Sequence, residues 1–362
     1  MENWESLLSR SITTPEQLSR VVDIDMTAVR RIHGEFPLRI NPYYLSLIKA
    51  KDDAIWKQAI PDVRELNSSG YSDPLSEEEQ SPVPNLVHRY PDRVLFYVSA
   101  SCCMYCRFCT RKRKVGDPDS VPCNSLEPGF DYIRSHPEIR DVIISGGDPL
   151  MLHDDNLEYI LKTLRKIKHV QILRIGSRMP ATLPQRITES LCAMLKRYHP
   201  LFLNTHFNHP DEITPQSTQA CQMLIDAGIP LGNQSVLLKG VNDKPAVMLE
   251  LVRKLLSIRV RPYYLYQADL VKGTDHFRTP IQTGLEIIRS LRGHTSGLAV
   301  PHYVIDTPGG GGKIALIPDP VISYENDGEV LLKDYKGNTR SYPNKKNNHA
   351  NACVLTEESA AL

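Results

Sequence analysis

The run C-C-M-Y-C-R-F-C over residues 102–109 places Cys102, Cys106 and Cys109 at spacings of four and three. Three thiolates so placed can hold three irons of a four-iron cluster and leave the fourth iron open. A cluster with four Cys ligands is a closed electron carrier, whereas one with a vacant corner can chelate the amino and carboxylate groups of a small molecule. The competing readings are a structural zinc site and buried thiols packed as small hydrophobes. Zinc sites ordinarily draw on two ligand pairs well apart in sequence, and no second pair exists here. Cys103 should point away from its neighbour's direction and receives no ligand role. Cys123, Cys192, Cys221 and Cys353 are isolated and read as structural or surface thiols.

Other residue types gather where a small ligand could be held. Lys313 follows four glycines, Gly309 to Gly312, and bare glycines let the backbone take positive φ and approach a flat cofactor closely. The alternative is a flexible linker with an incidental surface lysine. The run H-R-Y-P-D-R at 88–93 offers cationic and hydrogen-bonding partners of the kind a phosphate needs. Ser145-Gly146-Gly147-Asp148 is either a ligand-facing turn or an ordinary strand-to-helix turn.

These residues need elements to position them. From residue 94 a unit repeats six times: a short β-branched or aromatic run, a loop, then an amphipathic helix. The spacing predicts strands at 94–99, 141–145, 170–175, 201–205, 230–236 and 260–266, with helices at 157–167, 185–197, 216–227 and 246–257 between them. Such alternation means β/α units on a parallel sheet. The cysteine motif, Ser145–Asp148, Gly176–Arg178, Asn204–His206, Gly232–Gln234 and Gln267–Asp269 each fall at the C-terminal end of a predicted strand, the catalytic rim of a β/α barrel. A doubly wound open sheet would also place ligands at strand ends and is the second choice. The expected fold is α/β, an open, partial β/α barrel of six units at 94–308. It is preceded by a helical N-terminal region and linker (1–93) and followed by an irregular C-terminal segment (309–362), disordered from about 343. Thr14-Pro15-Glu16-Gln17 reads as a capping box with proline at the first helical position. A second helix is expected at 43–59, and the proline- and acid-rich stretch 73–85 reads as a linker.

Composition excludes several partners. The 362-residue chain can bury a large core. Its 43 Lys and Arg nearly balance 42 Asp and Glu, so no nucleic-acid partner is implied. The basic run 107–114 lies inside the cysteine motif and suits small anionic ligands better. No apolar run approaches the roughly 20 residues of a membrane helix. The N-terminal sequence lacks the basic region and apolar core of a signal peptide, so a cytoplasmic location is expected, where thiols stay reduced.

The C-x3-C-x2-C spacing resembles the signature of radical S-adenosylmethionine (SAM) enzymes, in which the reduced [4Fe-4S] cluster cleaves SAM to release a 5′-deoxyadenosyl radical. The resemblance then narrows. C-C-M-Y-C-R-F-C-T-R-K-R, S-G-G-D-P, L-N-T-H-F-N-H-P, G-N-Q-S-V-L-L, R-P-Y-Y-L-Y-Q-A-D, H-F-R-T-P, L-R-G-H-T-S-G and D-T-P-G-G-G-G-K, in this order over 42–342, resemble the lysine 2,3-aminomutase family. That family combines the cluster, SAM and pyridoxal 5′-phosphate (PLP). The resemblance implies an isomerase that interconverts L-lysine and β-lysine by 1,2-amino migration through an external aldimine with PLP.

It also implies roles. Cys102, Cys106 and Cys109 would ligate the cluster; Ser145, Gly146, Gly147, Asp148, His206 and Gln234 would contact SAM. Lys313 would bond PLP, with Arg89, Tyr90 and Arg93 near that cofactor. Arg111 would hold the substrate carboxylate, and Asp269 and Asp306 the substrate's ε-ammonium. An electron donor of flavodoxin or ferredoxin type and a homo-oligomer are further implications. One departure stands out: the clostridial type of the family builds a zinc site from a cysteine beside the strand-six Asp and a C-terminal cysteine cluster. Here Ala268 and a lone Cys353 stand instead, so no zinc is expected. Alternatives are an aminomutase acting on arginine, ornithine or a protein-bound lysine and, from another class, an iron-sulfur electron carrier or a zinc-binding module.

Overall fold

All six expected strands lie in the middle of one sheet, which continues beyond them on both sides. The computed structural model describes residues 3–121, 126–325 and 328–344; Cys123 and Cys353 lie outside these. The sheet runs β1 (Leu86–Tyr90), β2 (Arg93–Ser99), β3 (Asp141–Gly146), β4 (Ile172–Gly176), β5 (Leu201–Thr205), β6 (Leu231–Leu237), β7 (Arg261–Gln267), β8 (His302–Thr307) and β9 (Gly312–Ala315), in sequence order. Strands β2 to β8 are parallel, and β1 and β9 are antiparallel edges. The six units are therefore joined by a seventh parallel strand, β8. Its apolar run is only Tyr303-Val304-Ile305 between Pro301 and Asp306, too short for periodicity to reveal.

The helices between strands follow from their sequence. In Asp154–Arg165, Leu157, Ile160, Leu161 and Leu164 form one buried stripe. Asp154 and Asp155 open that helix and Lys162 and Arg165 close it, matching the macrodipole. Pro215–Asp226 and Pro245–Ser257 each begin with proline in the first turn. The 185–197 expectation resolves into a short 3-10 turn, Pro184–Arg186, and the helix Glu189–Leu195 capped by Thr188. Residues of strands and helices share one continuous apolar core, which includes Cys103, Cys192 and Cys221.

The N-terminal region folds around the cysteine loop. The Thr14–Gln17 capping box is present. The helix expected at 43–59 is two helices, Pro42–Leu45 and Ala54–Ala59, because Asp52 takes φ +62° and Asp53 caps the second through the N–H groups of Ile55 and Trp56. Asn41 Nδ2 donates to the carbonyls of Cys103 and Thr182, and Arg39 Nη1 to that of Cys102. Arg107 and Lys112, which flank Cys109, both donate to fully buried Glu65 at 2.6 Å. Removing one partner from such a buried ion set costs about 3–5 kcal/mol. Loop and N-terminal region are thus one packed unit.

The stretch 73–85 is no free linker: Glu77 is buried, and Gln80 Nε2 donates to the carbonyl of Gly310. Beyond 317, the segment expected to be irregular carries an antiparallel meander of its own: β10 (Val321–Tyr324), β11 (Glu329–Lys333) and β12 (Thr339–Pro343). Contacts divide the chain into Met1–Ile317 and Pro318–Leu362. No helix among the described residues is long and apolar enough to cross a membrane.

Candidate active site

The cysteine loop follows β2 directly and is tied to the end of β3. Gly147 N and Asp148 N donate to the carbonyls of Ser99 and Ser101. Gly146 has φ +137°, and a Cβ there would lie 2.2 Å from the carbonyl oxygen of Ser99. Only glycine allows this approach. Burial pushes the Cys109 thiol up to about 11 and the Cys102 thiol well above the usual range, and charge on the nearby Cys106 sulfur would raise both further. Such thiols deprotonate only with a compensating cation, which iron supplies. Cys103 is different: its Sγ lies 3.1 Å from Thr182 Oγ1 within the core. No group of three or more His, Cys, Asp or Glu side chains among the described residues is arranged around a single ion. Ligands that each take a separate iron of a cluster stand further apart.

Around this loop stand the polar residues Ser145, Asp148, Ser177 and Arg178, all buried. Asp148 Oδ1 accepts from Leu150 N and Ser177 Oγ, and Oδ2 accepts from Arg178 N, so its carboxylate holds the β4 exit. Gln234 differs from expectation, sitting in mid-strand on β6 rather than at its end. It alternates with Asn233, whose amide holds the backbone of Phe207 from the other face. That clamp fixes His206, whose ring stacks on Phe108 (5.5 Å between centroids). His206 Nε2 is buried with no hydrogen-bond partner, and burial together with the charge of Arg178 keeps the ring neutral. A buried, unpaired imidazole nitrogen beside the cysteine loop is a vacancy for a polar ligand atom. In front of Ser145, a Cβ added at Gly176 would meet only Ser145 Oγ within 4 Å, at 3.7 Å. This open, polar space suits the SAM expected there.

The second half of the site lies at the seam of the sheet. Its edge strands do not pair; side chains bridge them instead. Tyr90 OH on β1 accepts from Lys313 N on β9 at 2.9 Å, and Arg89 Nη1 lies 3.9 Å from Asp306 on β8. The four glycines form the turn between β8 and β9, with positive φ at Gly309, Gly310 and Gly312, so they make a defined hairpin and not a flexible linker. Pairing of Asp306 with Lys313 across that hairpin places Nζ 3.1 Å from the carboxylate. Arg93 stacks over Tyr90 at 4.0 Å. Lysine, tyrosine and two arginines converge on one seam, a donor set that fits an aldehyde cofactor carrying a phosphate.

Arg111 and Asp269 lie in the same neighbourhood, linked through the charges of Glu77, Asp306 and Lys313. Thr110 Oγ1 donates to Asp269 at 2.6 Å. Burial, reinforced by the charges of Asp306 and Glu77 and opposed by Thr110 and Lys313, pushes the Asp269 carboxyl up to about 6. Glu77, overlooked in a stretch read as linker, accepts from Arg111 Nε and Nη2 and from Tyr97 OH. Burial alone would raise its pKa, but Arg111, Tyr97 and Arg113 hold it down at about 2. Glu77 thus fixes the Nε–Nη2 edge of Arg111 and leaves the Nη1–Nη2 end for a ligand carboxylate, an orientation that spacing could not reveal. Arg178 was likewise named only as a strand-end residue, yet its Nη1 donates to Cys106 Sγ at 2.7 Å.

The raised carboxyl of Asp269 has a stability consequence. A group whose folded pKa exceeds its unfolded one favours folding below the unfolded value and loses that contribution as pH rises through the folded value. Above about pH 6 the wild type carries the ionised, desolvated carboxylate. Asp269→Asn should therefore stabilise the cofactor-free protein at pH 8, by no more than about 3 kcal/mol, and leave it unchanged near pH 4. Thermal melts at the two pH values check this, and equal shifts at both would contradict it.

A partly closed β/α sheet with three cysteines on the loop after its first parallel strand is the architecture of a radical SAM enzyme, and the Radical SAM superfamily matches residues 96–252. The Lysine-2,3-aminomutase family matches residues 288–360. The L-lysine 2,3-aminomutase of Clostridium subterminale is 53% identical over 348 residues, covering 94% of this chain and 83% of that protein. That of Methanococcus maripaludis is 51% identical, with 94% and 82% covered. The glutamate 2,3-aminomutase of Clostridioides difficile is 45% identical, with 92% and 81% covered. The chain belongs to the lysine 2,3-aminomutase family, and with it goes dependence on a [4Fe-4S] cluster, SAM and PLP.

Proposed function

We propose that this chain is an isomerase that interconverts L-lysine and β-lysine by moving an amino group between Cα and Cβ. The observation that carries the substrate is the pair Asp269 and Asp306 beside Lys313, with Asp306 on Lys313 Nζ and Asp269 feeling the charges of both. With Lys313 committed to the cofactor, the mutual repulsion of Asp269 and Asp306 would lose that cation, leaving Arg89 3.9 Å from Asp306. A ligand side chain ending in an ammonium group compensates them, whereas an anionic one adds to their repulsion.

When bound, the cluster and SAM supply a carbon-centred radical that removes a hydrogen atom, and PLP supplies the π system that carries the migrating nitrogen. The chain's own residues orient and exclude water. Cys102, Cys106 and Cys109 hold the cluster; Ser145, Gly146, Gly147, Asp148, His206 and Gln234 receive SAM, with Asp148 also bracing the turn at Ser177 and Arg178. Lys313 bonds PLP while Arg89, Tyr90 and Arg93 neutralise and frame it. Arg111, held on one edge by Glu77, takes the substrate carboxylate on its free end, and Asp269 and Asp306 take the ε-ammonium. The reductant is a one-electron donor of flavodoxin or ferredoxin type, the working form is a homo-oligomer, and its place is the cytoplasm. The relative that is a glutamate 2,3-aminomutase defines the second reading. Side-by-side turnover of lysine and glutamate by anaerobically reconstituted protein decides between them. Arginine or ornithine would rank next, according to pocket length.

A further inference from the structure

Arg178 is a buried arginine with an unusual set of partners. It leaves the end of β4 on a turn held by Asp148, and its side chain is almost fully covered. Nη1 donates to Cys106 Sγ at 2.7 Å. Nη2 donates to Gln58 Oε1 and Glu212 Oε1, both at 2.6 Å, and to Tyr44 OH at 3.2 Å, while Nε donates to the carbonyl of His206. Its guanidinium also lies 5.0 Å from the centroid of the Phe108 ring. These partners come from the N-terminal region, the cysteine loop and the loop after β5.

The other contacts of this guanidinium end on oxygen atoms, whereas Nη1 is aimed at the sulfur of Cys106, to which the cluster assignment gives a second function. Glu212 accepts from Arg178, Tyr44, Asn208 N and His209 N and is fully buried. It offsets the arginine's charge and fixes its direction, so what reaches Cys106 is mainly an oriented hydrogen bond. Hydrogen bonds to cluster sulfurs and the local charge set an iron-sulfur reduction potential. They stabilise the more negative, reduced state.

We propose that Arg178 is a positioning residue that tunes the cluster: its bond to Cys106 eases the one-electron reduction of the [4Fe-4S] cluster from the 2+ to the 1+ state by an external one-electron donor. The inference rests on Cys106 being a cluster ligand. Its partners Gln58, Tyr44 and Glu212 serve by holding Arg178 in place.

The test is an anaerobic redox titration of reconstituted protein with dithionite, read by the electron paramagnetic resonance signal of the reduced cluster, alongside iron and sulfide content. In Arg178→Met the ratio of reduced to oxidised cluster at the wild-type midpoint should fall about tenfold, equivalent to about 59 mV for one electron. Arg178→Lys, which keeps a charge that Glu212 already offsets but loses the fork that aims the bond, should lower the ratio by a comparable amount. Gln58→Leu, which frees the guanidinium without removing it, should also lower the ratio. A fully loaded Arg178 variant with an unchanged midpoint would overturn the proposal. So would loss of the cluster in both Arg178 variants together with an unchanged midpoint in Gln58→Leu. Failure of the wild type itself to bind iron would instead overturn the cluster assignment, a separate result.

Discussion

Replacing any one of Cys102, Cys106 or Cys109 by alanine will remove the iron-sulfur cluster and with it all turnover, whereas Cys103→Ala will keep both. The contrast follows from geometry as much as spacing. Three thiols are gathered on a loop braced by Asn41, Arg39 and the Glu65 ion set, so the fold itself should survive loss of one sulfur. Cys103 turns instead toward Thr182 and contributes only its packing and one hydrogen bond, worth about 1 kcal/mol. Iron and sulfide analysis of the four variants, with the absorbance of the oxidised cluster, reads the result. Loss of the cluster in Cys103→Ala with retention in Cys102→Ala would put the motif out of register by one residue.

Lys313→Ala should lower turnover by on the order of a thousandfold or more, the scale on which loss of a covalently acting side chain is felt. Lys313 is on a hairpin fixed by Gly310 against Gln80 and by its own N–H on Tyr90. Its removal therefore deletes one amine without unfolding the seam. The protein should lose the visible absorbance of tightly held PLP while retaining a full cluster. Lys313→Arg should fail equally, because a guanidinium keeps the charge beside Asp306 but lacks the nucleophilic amine. Retention of both PLP absorbance and turnover in Lys313→Ala would contradict the assignment.

Much of this was legible in the sequence where function demands a local pattern. The cysteine spacing, the Gly309–Gly312 run before Lys313 and the polar residues at the ends of most strands are short-range signals, Gln234 in the middle of β6 being the exception, and the strands stand where β-branched runs placed them. What escaped was long-range. Glu77 meets Arg111 from 34 residues away, and Arg178 reaches Cys106 across 72 and Gln58 across 120. A lone Glu in a proline- and acid-rich stretch has no local signature that separates a buried anchor from a solvated linker. Strand β8 was missed because its apolar run is too brief. The motif Ser-Gly-Gly-Asp does not reveal that the Asp148 carboxylate holds the neighbouring turn through Ser177 and Arg178, 29 and 30 residues on. Lys313 and Asp306 stand seven residues apart in the chain, yet the hairpin makes them cross-strand neighbours.

The pair Asp269 and Asp306 carries the choice of substrate, and a site built around charge rejects a non-matching ligand far more strongly than an apolar pocket rejects one methylene. The most direct measurement supplies L-[2-15N]lysine and, separately, L-[2-15N]glutamate to protein reconstituted anaerobically with iron, sulfide, SAM, PLP and a one-electron reductant, and follows the label by NMR. The label in lysine is expected to move from C2 to C3, giving β-lysine, while glutamate stays essentially unchanged. Transfer of the label in glutamate with lysine left intact would contradict it.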